Sequence, residues 1–277
     1  MQLGIFAKTF ARPTLGEILD AVVRHGVTTV QFNFACAGLD TLPEVVTAAQ
    51  LEAIRGELVR RQLHVAAVSG TFNLLHPDAD ARRAGFRRFP ELLRACAALA
   101  VPVVTLCTGT KDPDDMWRAH PANGSPAAWR EMRAGLENLL TAAEAAGITL
   151  AVEPEAGNVV GTARQARQLL DELRSPRLGI VLDAANLVTP ALRSRQREVV
   201  DEAFDLLGPD IVLAHAKELG PEGHPDGRGA GRGILEWEHL RERLCQAGFA
   251  GAWILHGLPE EEVPASVDFL RDQLIKS

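Results

Sequence analysis

Apolar residues occur in eight short runs that are hydrophobic almost throughout and do not alternate with polar residues. The runs are LGIFA (3–7), TTVQFNF (28–34), HVAAVSG (64–70), VPVVTLC (101–107), ITLAVEP (148–154), LGIVLDA (178–184), DIVLAHA (210–216) and GAWILHG (251–257). Strands of a parallel sheet are covered on both faces, and they show continuous runs of this kind. The pattern therefore predicts eight parallel strands.

The segments between these runs have the period of amphipathic helices. TLGEILDAVVRHG (14–26), LPEVVTAAQLEAIRGELVRRQ (42–62) and AAWREMRAGLENLLTAAEAAG (127–147) carry apolar residues at i, i+3 and i+4. Gly26 and Gly147 stand at expected C-cap positions. Eightfold alternation of strand and helix indicates a closed (β/α)₈ TIM barrel rather than an open sheet. We expect one such domain over residues 1–277.

Composition and charge exclude several classes of protein. The chain has 277 residues and a net charge of −7, whereas binding to nucleic acid requires a clustered excess of Lys and Arg. No apolar run approaches the roughly 18 residues of a membrane helix. Cys36, Cys96, Cys107 and Cys245 lack metal-type spacing, and the N-terminus lacks a signal pattern. We therefore expect a cytosolic protein that binds neither nucleic acid nor membranes.

Four polar residues stand at equivalent places, at the carboxyl ends of the last four predicted strands. They are Glu153, Asp183, His215 and His256. In a TIM barrel these ends form the active face, and adjacent strands bring them together. Two carboxylates and two imidazoles suit a divalent ion such as Mn²⁺, Zn²⁺, Co²⁺ or Fe²⁺ with positions open for substrate. A single Glu or His at a strand end is more often structural, but four in succession favour a metal site.

Further polar residues at the same ends are candidates for contact with a substrate. Lys8, Asn33, His76, Lys111 and Asn186 are predicted substrate ligands, and Glu155 and Lys217 are predicted to serve in proton transfer and anion binding. Several have a structural alternative. Glu155 also suits a loop cap, Asn186 a turn after strand six, and Lys217 a salt bridge to a nearby acid. Near His76, Asp78 is equally suited to an N-cap.

Two long loops are expected near this face. The Pro- and Asp-rich loop after strand four carries Lys111, Trp117, Arg118 and His120 and is the predicted substrate cover. The segment PEGHPDGRGAGRG (221–233) is rich in glycine but lacks phosphate-loop spacing. We interpret it as a mobile loop near the mouth, with no bound nucleotide.

Several of these segments resemble one family. ITLAVEPEAGN, IVLDAANL, IVLAHAKE and GRGILEWEHLRERLCQAGFAGAWILHGL are similar to the xylose isomerase-like barrels, which include sugar isomerases, ketose 3-epimerases, hydroxypyruvate isomerase, inosose dehydratase and apurinic-site endonucleases. LGIFAKTF, SGTFNLLHPD and LCTGTKDPDDMW extend the resemblance to bacterial predicted sugar phosphate isomerase/epimerases. The resemblance covers nearly the whole chain and depends on the order and spacing of short motifs.

The resemblance implies a metal site made of Glu, Asp, His and Glu. Carried over, the first three are Glu153, Asp183 and His215, and His256 stands where the second Glu is expected. Inversion at carbon 3 needs proton-transfer groups on both faces of the substrate, whereas isomerisation through a cis-enediol needs one. Replacing a carboxylate by a neutral imidazole also makes the site more positive. The sequence thus favours a metal-dependent isomerase of a small, anionic sugar or keto acid.

Other functions stay open at this point. A 3-epimerase with His256 as second acid/base, a dehydratase, an apurinic-site endonuclease-like phosphodiesterase and a non-catalytic metal- or sugar-binding barrel are the alternatives. The phosphodiesterase would need more histidines and a basic groove, which the acidic balance disfavours. The expected partners are a small-molecule substrate and, in a homo-oligomer, other copies of the chain.

Overall fold

Eight parallel strands form a closed barrel in the computed structural model, which describes residues 1–275; positions 276 and 277 of the predicted domain lie outside the described residues. The strands are β1 (Gln2–Phe6), β2 (Thr29–Phe32), β3 (His64–Ser69), β4 (Val103–Leu106), β5 (Thr149–Val152), β6 (Leu178–Asp183), β7 (Ile211–Ala216) and β8 (Ala252–Leu255). Each pairs with its sequence neighbour, and β8 closes on β1 in parallel register from Gln2 opposite Ala252. The predicted (β/α)₈ TIM barrel is confirmed.

Helices follow the strands around the outside of the barrel. Within residues 1–275 they are α1 (Leu15–Arg24), α2 (Ala48–Arg60), α3 (Ala79–Ala98), α4 (Pro126–Ala146), α5 (Ala163–Leu173), α6 (Ala184–Leu187), α7 (Gln196–Leu207), α8 (Trp237–Gln246) and α9 (Val263–Ile275), with short 3-10 helices between some elements. Gly147 caps α4 with a φ of 69°, and Gly26 follows the last residue of the α1 cap with the same φ. Both glycines occupy the left-handed region that the sequence predicted.

The predicted starting residue of the second helix is wrong. The apolar period extended it back to residue 42, but α2 begins at Ala48. Thr47 and Gln50 form a capping box, in which each side chain accepts a hydrogen bond from the other residue's backbone N–H. The backbone N–H of Val46 is bound by the Glu91 carboxylate at 2.6 Å. These bonds hold residues 46 and 47 in a conformation that enters the helix, so the helix begins after them.

The interior of the barrel is filled by a small apolar layer. It consists of Ala66, Ala67, Val103, Ala151, Val181, Leu213, Ala252 and Ile254, whereas the larger core lies between strands and helices. Four of these inner residues come two positions before the four residues predicted to bind metal. The pairs are Ala151 and Glu153, Val181 and Asp183, Leu213 and His215, and Ile254 and His256. Side chains two apart in a strand share a face, so the predicted site lies directly above this layer.

Among the helices of residues 1–275, none has both the length and the apolar character that a bilayer crossing would require.

Candidate functional site

His215 is the centre of the polar cluster above the barrel interior. Its Nε2 lies 2.8 Å from Oε1 of Gln31, and its Nδ1 lies 3.1 Å from Oε1 of Glu153 and 3.7 Å from Oδ2 of Asp183. The Gln31 oxygen accepts a hydrogen bond, so Nε2 carries a proton and Nδ1 faces two carboxylates. Burial lowers the pKa of His215, but the charges of Glu153 and Asp183 outweigh this effect and raise the pKa to about 9.

Asp183 is buried at the end of β6. Its Oδ1 accepts a hydrogen bond of 2.9 Å from the backbone N–H of Ala185. Its Oδ2 lies 3.1 Å from Nζ of Lys217, an ion-pair distance. Burial acts to raise the pKa of Asp183, but the positive charges of Lys217 and His215 outweigh it and hold the pKa well below its ordinary value.

Asn186 links Glu153 to Lys217. Its Nδ2 donates a hydrogen bond of 2.7 Å to Oε1 of Glu153, and its Oδ1 accepts one from Nζ of Lys217. Burial lowers the pKa of Lys217, but the charges of Asp183 and the two nearby glutamates outweigh it and raise the pKa above its ordinary value. The ammonium is therefore charged, and it neutralises part of the carboxylate cluster.

His256 stacks on His215 on one side and on Phe6 on the other. The ring centroids of His256 and His215 are 4.4 Å apart with 7° between the planes, and those of His256 and Phe6 are 5.1 Å apart with 15°. The Nδ1 of His256 is buried and has no hydrogen-bond partner within residues 1–275. Burial and the neighbouring positive charges lower the pKa of His256 well below its ordinary value, so the ring is neutral.

A cavity of about 510 Å³ opens above this cluster. Its lining includes Glu155, Asn186, Lys217 and His256 from the strand ends and Trp117 and His224 from the two long loops. The volume is in the range of small-molecule sites. Burial, and then the charge of Glu153, raise the pKa of Glu155 to about 8.

Both loops at the mouth are fixed by buried carboxylates. Asp112 accepts hydrogen bonds from the Arg118 guanidinium and from two backbone N–H groups of the loop after β4. Glu218 accepts bonds of 2.7 to 3.1 Å from Trp237 Nε1 and from three backbone N–H groups between residues 219 and 235. These bonds position the residues of each loop that line the cavity. The predicted placement of both loops at the mouth is confirmed.

Four of the predicted substrate ligands lie away from this cavity. Lys8 is exposed on the 3-10 helix after β1, and Asn33 caps a 3-10 helix by accepting from the backbone N–H of Ala35 at 2.9 Å. His76 accepts from the backbone N–H of Asp78, and Lys111 pairs with Glu131 at 2.6 Å. A substrate contact by these four residues stays a prediction.

Asp78 takes the capping role that the sequence offered as its alternative, because its side chain accepts from the backbone N–H of Asp80 at the start of α3. Two residues of the site, Gln31 and Glu218, were assigned no role from the sequence. Gln31 interrupts an apolar run at an inward position, which is a readable signal. Glu218 carries no such signal, because its four donors come from a loop whose path the sequence does not specify.

The residues present fit a divalent cation. Two ligand atoms of one tetrahedral ion lie roughly 3.4 Å apart, given bonds of about 2.0 to 2.2 Å. The distances from His215 Nδ1 to the oxygens of Glu153 and Asp183, 3.1 and 3.7 Å, bracket that value. Among the described residues, ligand-type atoms of Asp183, His215 and His256 lie within 4.8 Å of one another, and Glu153 meets this group through its 3.1 Å contact with His215. A ring nitrogen that faces two carboxylates is stabilised by a proton or by a metal ion between them.

Comparison with known proteins places the chain in a family. The family model described as xylose isomerase-like TIM barrel matches residues 19–273. No curated protein matches the chain. Among solved structures, a D-tagatose 3-epimerase-like protein has a TM-score of 0.78 at 16% identity, covering 100% of this chain and 98% of that one.

Two further solved structures share the fold. The 3-keto-D-glucoside 4-epimerase of E. coli has a TM-score of 0.74 at 16% identity, and 99% of each chain is covered. A protein named IOLI, solved with a bound zinc atom, has a TM-score of 0.73 at 17% identity, covering 100% of this chain and 97% of that one. At these identities the likeness shows the fold, whereas the family model matches nearly the whole sequence. The chain belongs to the xylose isomerase-like TIM barrel family.

Proposed function

We propose that the protein is a divalent-metal-dependent isomerase of a small, anionic sugar or keto acid. The observation that carries this proposal is the convergence of Glu153 and Asp183 on Nδ1 of His215. This cluster contacts the cavity lining through Asn186, Lys217 and His256. Of the similar structures, one is named as a 3-keto-D-glucoside 4-epimerase, one as a D-tagatose 3-epimerase-like protein, and the third holds zinc, which supports sugar chemistry and a cation for this chain. The metal could be Mn²⁺, Zn²⁺, Co²⁺ or Fe²⁺.

Glu153, Asp183 and His215 would hold the cation. When bound, a divalent cation supplies Lewis acidity, which polarises substrate oxygens and stabilises the negative charge of an enediolate. Gln31 fixes the tautomer of His215 that presents Nδ1, as partners of metal-binding histidines commonly do. Asn186 orients the Glu153 carboxylate through its hydrogen bond of 2.7 Å.

Glu155 is the carboxylate that we assign to proton transfer, with Glu153 as the alternative. Glu155 lines the cavity, whereas Oε1 of Glu153 is engaged by His215 and Asn186. A single carboxylate can remove a proton from one carbon and return it to the neighbouring carbon on the same face, as aldose–ketose isomerisation requires. Lys217 also lines the cavity, and its ammonium would attract a phosphate or carboxylate of the substrate.

A 3-epimerase is the second candidate. β5 and β8 are three strands apart in the closed order, so Glu155 and His256 approach the mouth from different directions. Two proton-transfer groups in that relation suit inversion at carbon 3. The dehydratase, the endonuclease-like phosphodiesterase and the non-catalytic barrel are weaker alternatives. A single domain over 1–277, the homo-oligomer, the absence of nucleic-acid and membrane partners, and the cytosolic location stay predictions.

Solvent exchange tests the function and separates the candidates. The protein is loaded with Mn²⁺ or Co²⁺ and incubated in D₂O with D-tagatose, D-fructose and their phosphates, and the sugars are analysed by NMR. Deuterium at carbon 1 of a ketose, with formation of the aldose, supports the isomerase. Deuterium at carbon 3 supports the epimerase instead. Bound metal without exchange in any sugar would favour a binding protein.

A further inference from the structure

His256 stands where the resemblance calls for a metal-binding glutamate, and the orientation of its ring bears on that role. A metal ion lies close to the plane of each imidazole that binds it, because the nitrogen lone pair lies in that plane. The rings of His256 and His215 are stacked, with centroids 4.4 Å apart and only 7° between their planes. Planes so nearly parallel do not meet anywhere near the site.

The separation of the two ring planes determines whether both imidazoles can bind the same cation. Atoms of stacked rings approach to about 3.5 Å, so a cation held by Nδ1 in the plane of the His215 ring would be about that far from the plane of the His256 ring. A metal–nitrogen bond is about 2.0 to 2.1 Å long, which is too short to cross this gap. Ligand-type atoms of His215 and His256 lie within 4.8 Å of each other, but this distance alone does not allow both rings to bind the same cation.

Phe6 holds His256 in this orientation. Its ring stacks on the opposite face of His256, with centroids 5.1 Å apart and 15° between the planes. The imidazole thus lies between two aromatic rings, and turning it toward the cation would break both stacks. The backbone is fixed as well, since the N–H of His256 donates to the carbonyl of Ala216 at 3.2 Å.

We infer that His256 lies outside the coordination sphere of the cation and forms a wall of the substrate cavity. This inference rests on the proposed function. Within residues 1–275 the cation then has three protein ligands, Glu153, Asp183 and His215. With five or six ligands around the ion, a site of three protein ligands would leave two or three positions open, enough for two substrate oxygens.

The inference also bears on the charge around the cavity. The carboxylates of Glu153 and Asp183 balance a divalent cation, whereas a glutamate at position 256 would leave an excess negative charge. Lys217 lines the same cavity and adds one positive charge. With Glu155 as the carboxylate base in the same lining, the formal charges of these groups sum to zero, one unit more positive than with a glutamate at position 256, which favours an anionic substrate more than a glutamate there would. The His256 ring lines this cavity.

Metal titration of two matched variants tests the inference. His256→Phe keeps an aromatic ring in the stack and removes both nitrogens, and His215→Phe makes the same change at a ligand. We expect isothermal titration with Mn²⁺ to give His256→Phe a Kd within about threefold of the wild type. His215→Phe should bind more than about a hundredfold more weakly, since loss of a ligand exceeds the effect of losing its partner. A tenfold or greater weakening in His256→Phe overturns the inference.

A second measurement needs no variant. In the wild-type protein labelled with ¹⁵N-histidine, Zn²⁺ should move the Nδ1 resonance of His215 into the metal-coordinated range and leave both nitrogens of His256 outside it. Coordinated shifts for His256 overturn the inference. If the wild type binds neither Mn²⁺ nor Zn²⁺, both this inference and the proposed function fail. If the wild type binds metal with His215 coordinated and His256 not coordinated, and exchanges no sugar proton, only the proposed function fails.

Discussion

Oε1 of Gln31 lies 2.8 Å from Nε2 of His215, a contact across the barrel between residues 184 positions apart in the chain. The amide oxygen holds a proton on Nε2 and so presents Nδ1 to the carboxylates of Glu153 and Asp183. Gln31 is itself held by Thr105, whose Oγ1 accepts from Nε2 of Gln31 at 3.3 Å. The affinity for metal should therefore depend on a residue that does not touch the metal.

Replacing Gln31 by methionine tests this dependence. Gln31→Met keeps the length of the side chain and removes the acceptor, so His215 loses the partner that fixes its tautomer. We expect the affinity for Mn²⁺ to fall about 10- to 100-fold, measured by isothermal titration. Thr105→Val, which removes only the outer contact of Gln31, should change it much less. Equal affinity in Gln31→Met and wild type would contradict the assigned role.

Two glutamine variants separate the roles of Glu153 and Glu155. Glu155→Gln should retain Mn²⁺ affinity and lose solvent exchange into the substrate about 10²- to 10⁴-fold, because an amide cannot accept the proton. Glu153→Gln should lose metal affinity as well, because it removes a ligand charge. The measurements are Mn²⁺ titration and deuterium incorporation. If Glu155→Gln exchanges deuterium at the wild-type rate, Glu155 is not the base, and the assignment passes to Glu153.

Lys217→Met should affect metal and anion in opposite directions. The ammonium lies 3.1 Å from Oδ2 of Asp183, so its removal frees that oxygen and lowers the positive charge near the cation. We expect Mn²⁺ to bind roughly tenfold more tightly, equivalent to about 1.4 kcal/mol. Inorganic phosphate should bind metal-loaded Lys217→Met more weakly than it binds the metal-loaded wild type. Lys111→Met, which breaks a pair with Glu131 outside the cavity, is the matched control. Weaker Mn²⁺ binding in Lys217→Met would sink this prediction.

Glu218→Gln should destabilise the protein. The buried carboxylate accepts four hydrogen bonds, and an amide would place its own donors against two of these N–H groups. We expect a loss of about 2–3 kcal/mol in the free energy of unfolding and a Tm lower by about 5–10 °C. Trypsin should cleave faster at Arg228 and Arg232. Glu222→Gln, at an exposed position of the same loop, should match the wild type in both assays, and a Glu218→Gln protein that does the same would refute the anchoring role.

The sequence by itself determined the barrel fold and the position of the site at the carboxyl ends of the strands. Eight continuous apolar runs, separated by helical periods, specify parallel strands, because only strands covered on both faces are apolar throughout. The two-residue period of a strand then places Glu153, Asp183, His215 and His256 above the inner layer of Ala151, Val181, Leu213 and Ile254. These features depend on local order along the chain, so a single sequence contains them.

Only the tertiary structure decided how those side chains meet. The 184-residue separation of Gln31 and His215, the pairing of Lys217 with Asp183 and the stacking of His256 between Phe6 and His215 all depend on closure of the barrel. Ring planes and proton positions follow from contacts between distant strands, and the apolar pattern carries no information about rotation around a side-chain bond. For this reason the sequence predicted His256 at the site, whereas its orientation there came from the packing of the rings on either side.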